Sequence, residues 1–117
     1  MQRVKIVRLT PAQIELIVNR LGQFLGAKSA EFYLYGSRVG DDLKGGDIDL
    51  LLLVENSSDA FTLSLEKHRL VAQWKAALGD RRIDLTVALK GAVSTDPFLK
   101  GILEKAILLK RWPRCNE

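Results

Sequence analysis

The sequence predicts an α/β (α+β) domain: a small mixed β-sheet with helices packed mainly on one face. Three observations predict it. Residues 14–25 repeat apolar side chains at helical spacing. Residues 47–55 are nearly continuous in apolar residues, as in a central strand buried on both faces. Residues 82–89 alternate apolar and polar, as in a strand with one covered face.

The elements follow in order. Residues 3–9 alternate weakly and suit a short extended arm. Thr10-Pro11-Ala12-Gln13 reads as a helix start, with Thr10 as N-cap, Pro11 at the first helical position and Gln13 completing a capping box. Ile14, Ile17, Val18, Leu21, Phe24 and Leu25 form the apolar stripe, and Gly26 is the stop. Glu31 to Tyr35 is an aromatic-rich strand. Residues 36–46 are polar, hold four glycines and read as a loop with a short helical turn. Asp47 to Glu55 is the second strand. Ser57-Ser58-Asp59 caps a helix to about Leu78, which Gly79-Asp80 ends. Arg82 to Leu89 is the third strand. Thr95-Asp96-Pro97 starts a last helix to about Lys110, and Trp112-Pro113 closes the chain. The order is helix, strand, strand, helix, strand, helix, in one domain over residues 1–117.

Composition bounds the function. The chain has 117 residues, 47% hydrophobic and 27% charged, which excludes a disordered chain. The formal net charge of +4 suits anionic substrates such as nucleotides but is too weak to argue for duplex nucleic acid. The lone cysteine, Cys115, makes neither an internal disulfide nor a cysteine-rich zinc site. The N-terminal residues lack the apolar segment of a signal peptide, and no apolar run approaches the ~20 residues that span a bilayer. A cytoplasmic protein without membrane partners is expected.

The chemistry is expected from three features. Side chains alternate across a strand, so Asp47 and Asp49 share a face while Ile48 points into the opposite, apolar layer. Two like charges beside a hydrophobic strand repel and resist desolvation, so they call for a cation. Mg²⁺ takes oxygen ligands, commonly one or two carboxylates plus substrate phosphates. Solvated strand-edge aspartates are the alternative. Asp84 lies opposite the apolar face of Ile83, Leu85 and Val87, and joins the pair if its strand lies beside the second. Gly36 and Ser37 follow a strand, where backbone N–H groups and a hydroxyl suit a phosphate; Arg38 adds charge. Lys44 either reaches a phosphate from the loop or stays in solvent. Together these features read as metal-assisted phosphoryl transfer with two ions, held by Asp47, Asp49 and Asp84. Asp84 would also take the proton of the attacking hydroxyl.

The stretch from Leu34-Tyr35-Gly36-Ser37-Arg38 to Asp47-Ile48-Asp49-Leu50-Leu51 resembles the DNA polymerase β-like nucleotidyltransferase superfamily. Its nearest likeness is the minimal nucleotidyltransferase (MNT) group, whose signature is Gly-Ser, a spacer of about ten, then Asp-x-Asp. Here residues 38–46 form the spacer, and Asp84 matches the third carboxylate. The resemblance implies the nucleotidyltransferase fold and transfer of an NMP, AMP from ATP in the first instance. It also implies a helical HEPN-type toxin partner that accepts AMP on a tyrosine, which makes the chain an antitoxin. A non-catalytic antitoxin acting by contact and a transferase for an aminoglycoside-like molecule are the competing readings.

Other residues are expected to be ordinary. His68 reads as a solvated helix residue, Trp74 as core with Leu70 and Leu78, and Asp41 and Asp42 as loop-shaping residues. Lys105, Lys110, Arg111 and Arg114 read as solvating the tail. The apolar run around Leu103, Ala106, Ile107 and Leu109 packs on the core, with an oligomer interface through the last helix as the lesser reading.

Overall fold

The computed structural model describes residues 10–26, 28–35, 48–79 and 82–113. Residues 1–9, 27, 36–47, 80–81 and 114–117 lie outside the described residues, and with them the expected arm over 3–9 and the expected loop over 36–46.

Helix α1 spans Pro11–Leu25 and starts as its local chemistry dictates. The Thr10 hydroxyl accepts from the Gln13 N–H at 3.1 Å, and the Gln13 side chain accepts from the Thr10 N–H at 2.9 Å. Pro11 has no N–H, so the first turn leaves three donors unpaired, and two of them are thereby satisfied. Gly26 ends the helix at a positive φ of 67°, which a glycine adopts without strain.

Strands β1 (Ala30–Tyr35) and β2 (Ile48–Val54) pair antiparallel. Helix α2 (Ser57–Leu78) then carries the chain across the sheet, so that β3 (Ile83–Leu89) lies parallel to β2. A parallel pair needs such a crossover. The residue that caps α2 is Asn56, whose side chain accepts from the Asp59 N–H at 2.9 Å. The Ser57-Ser58-Asp59 run lies one step inside the helix.

The last segment departs from expectation. Helix α3 covers only Pro97–Lys105, after a 3-10 turn at Lys90–Ala92, and Ile107–Trp112 forms a fourth strand, β4. The sheet order is β3-β2-β1-β4. The run Leu103 to Leu109 fits a helical period, but β1 offers an unpaired edge, and pairing with β4 satisfies its backbone groups. Trp112 then sets its ring 6.3 Å from that of Phe32, tilted by 45°, which anchors the strand.

The sheet separates two apolar layers. On one face α1 and α2 cover Phe32, Ile48, Leu50, Leu52, Ile83 and Leu85. Trp74, fully buried there with Leu70, donates its indole N–H to the Ile17 carbonyl at 3.3 Å. On the other face Leu99 of α3 covers Leu51 and Leu53. Burial on both faces explains why β2 reads as an unbroken apolar run. Each of these leucines contributes roughly 1.5–3 kcal/mol over leaving it exposed. The outer strand β3 is tied down by Lys67 of α2, whose ammonium donates to the Leu85 carbonyl at 2.7 Å.

Candidate active site

Asp49 follows Ile48, which is buried against the α1 and α2 layer, so strand alternation turns Asp49 to the α3 face. Asp84 sits in the same way between the buried Ile83 and Leu85. Strands β2 and β3 pair directly, and Asp49 and Asp84 are register partners. Neighbouring strands stand about 4.8 Å apart, so two carboxylates of like charge share one patch of the sheet. Asp49 is half-buried and Asp84 exposed, leaving the pair open to solvent on one side.

A third residue completes the row. Tyr35, the last residue of β1, is the register partner of Asp49 on its other side. It packs against the Leu51–Leu53–Leu99 cluster and therefore shares the face of the acids. The sequence marks Tyr35 as a strand aromatic within the stretch that carries the resemblance but nominates it for no role; its place immediately before Gly36 is the signal that points to one. The row Tyr35–Asp49–Asp84 lies where β1 ends and β2 and β3 begin. The Ile48 N–H donates to the Arg82 carbonyl at 2.8 Å, which continues the ladder past the strand ends at this margin.

Of the residues that the sequence nominates, Asp49 and Asp84 are brought together. Gly36, Ser37, Arg38, Lys44 and Asp47 lie outside the described residues. Among the described residues no group of three potential metal ligands forms. The two acids alone fit a hard divalent cation in donor type, because carboxylate oxygens are what Mg²⁺ selects. His68 is exposed, with Nδ1 3.1 Å from the Leu65 carbonyl of its own helix.

A second charged group went unforeseen. Glu31, nearly buried on the same face, takes Lys90 at 3.0 Å and Arg111 at 3.2 Å on one carboxylate oxygen. The Tyr33 hydroxyl donates to the other oxygen at 2.9 Å. Arg111 is thus an ion-pair partner rather than a solvated tail residue. Burial works to raise the Glu31 pKa, but the Lys90 and Tyr33 hydrogen bonds and the nearby positive charges together hold it below the usual carboxylate range. Burial, and then the bond to Glu31, push the Tyr33 phenol up. A cleft of about 580 Å³ opens beside this group, lined in part by Ser29, Glu55 and Pro113. It lies at the opposite end of β1 from Tyr35, since Glu31 pairs with Leu53 while Tyr35 pairs with Asp49. Its charges already pair with one another, so the cleft reads as a structural ion cluster, apart from the acid row.

A family model described as a nucleotidyltransferase domain matches residues 13–109. The chain belongs to the nucleotidyltransferase domain family. The match runs from within α1 to the middle of β4, so the family's domain takes in β1, β2, β3 and the acid row. Among the described residues, the small mixed four-stranded sheet with three α-helices is consistent with a nucleotidyltransferase fold. No curated protein matches the chain. Among the described residues, no helix is long and apolar enough to cross a membrane.

Proposed function

We propose that this nucleotidyltransferase domain moves an NMP, AMP from ATP, onto a hydroxyl of a protein partner in a Mg²⁺-dependent reaction. The register pairing of Asp49 with Asp84 carries the reading, because it sets two acids side by side at a strand margin within the family's domain. Asp47 and Asp49 would hold the metal together with the triphosphate, and Asp84 would complete the ligand set. The metal would supply neutralisation of the charge that develops on the phosphates.

In this reading the acceptor oxygen bonds to the α-phosphorus, the bond from that phosphorus to the β-phosphate bridging oxygen breaks, and pyrophosphate leaves. The acceptor's proton passes to the Asp84 carboxylate. The Gly36 backbone and Ser37 would hold the departing β- and γ-phosphates, with Arg38 and Lys44 adding positive charge. A tyrosine of a HEPN-type helical protein is the proposed acceptor, and the chain is then the antitoxin of that pair. The likeness of residues 34–51 to the MNT signature supports this choice.

Intact-mass analysis tests it. Candidate helical partners are incubated with the chain, Mg²⁺ and each NTP in turn. One acceptor should gain the mass of one NMP, AMP above the others, and chelation with EDTA should prevent the gain. No gain on any partner with any NTP overturns the proposal.

A further inference from the structure

Two tyrosines of β1, Tyr33 and Tyr35, stand on the α3 face two residues apart, and they are used differently. The Tyr33 hydroxyl is bound to Glu31 at 2.9 Å and turns toward the ion cluster. Tyr35 is half-buried with its ring against the Leu51–Leu99 cluster, yet its hydroxyl has no hydrogen-bond partner among the described residues. A phenol hydroxyl without a protein partner is left to bond water or a ligand. Tyr35 is also the register partner of Asp49, and its side chain spans more than the about 4.8 Å between strands.

We infer that Tyr35 is a substrate-positioning residue whose hydroxyl donates to the triphosphate of the nucleotide over Asp49. The inference rests on the nucleotide-transfer reading above and extends it to a side chain outside the acid set. The chemistry suits the place. A triphosphate bound beside two carboxylates needs donors as well as a cation, and a neutral phenol donates to a phosphate oxygen without adding charge. The ring, wedged on leucines, fixes where that donor can stand. The site thereby gains a wall that is apolar toward α3 and polar toward the substrate.

The test is equilibrium binding, which needs no acceptor. Calorimetry measures the affinity of the whole chain for Mg²⁺ complexes of the α,β-methylene analogues of the four NTPs. Tyr35→Phe keeps the ring and should melt like the wild type, but bind about tenfold more weakly, the effect of losing a hydrogen bond to a charged group. Tyr33→Phe, which removes the hydroxyl held by Glu31, should leave nucleotide affinity unchanged. Binding by the wild type with no loss in Tyr35→Phe overturns the inference and leaves the transfer reading standing. No binding of any analogue by the wild type overturns both.

Discussion

Asp84 stands directly across from Asp49 in the parallel ladder of β3 and β2, both on the face that α3 half covers. Like charges so placed destabilise a sheet. Removing one should therefore relieve the fold even as it disables the site. In EDTA, Asp84→Asn is expected to melt at or slightly above the wild-type temperature. On the proposed function, Mg²⁺ with nucleotide should raise the melting temperature of the wild type; in Asp84→Asn that rise should largely vanish, and transfer should fall by about a hundredfold or more. Thermal melts with and without Mg²⁺–nucleotide check both halves. A variant that melts far below the wild type in EDTA contradicts the repulsion.

Glu31 gives the fold an acid-sensitive element. Its pKa is lower in the folded chain than in the unfolded one, so its contribution is complete above the ordinary glutamate range and is lost as pH falls through that range and below it. Glu31→Gln should be less stable than the wild type at neutral pH, and the gap should close as the pH drops into the acid range. Urea midpoints measured across that range decide the matter; a constant gap refutes the assignment.

Gly101 lies inside α3, and a Cβ added there meets no atom within 4 Å. Glycine in a helix interior costs about 1 kcal/mol relative to alanine. Gly101→Ala should accordingly stabilise the chain by about 0.5–1 kcal/mol, read as a rise in denaturation midpoint at unchanged slope.

Trp74 and Phe61 lie on the same helix with opposite surroundings. Trp74 is fully buried, whereas Phe61 is 67% exposed. Trp74→Ala should cost about 3–5 kcal/mol or prevent folding, and Phe61→Ser should stay within about 0.5 kcal/mol of the wild type. Equal losses at the two positions would contradict the packing of α2 described above.

What the sequence revealed depended on how local the cause is. The Thr10–Gln13 capping box is settled within four residues, and the alternation around Asp84 depends only on which neighbours are apolar, so both were legible. The adjacency of Asp49 and Asp84 followed from the expected pairing of their strands. By contrast, Ile107–Trp112 forms a strand only because β1, some eighty residues earlier, has an edge to fill. Arg111 meets Glu31 across the same separation of 80 residues, and no periodicity records that meeting. Asn56 outcompeted the Ser57–Asp59 run as cap because capping is decided by backbone position as well as side-chain type.

The leucine run of β2 has a consequence for how the chain finds its alignment. Leu50 to Leu53 are apolar on both faces, so this strand by itself would accept being turned over. Asp49 and Asp84 forbid it, since a slip of one position would drive a carboxylate under α1 or α2 with no water to receive it, at a cost of several kcal/mol. The acids therefore act as a key that admits only the correct threading. A chain whose acids were both replaced by leucine would lose that guard, and misaligned sheets would become accessible to it.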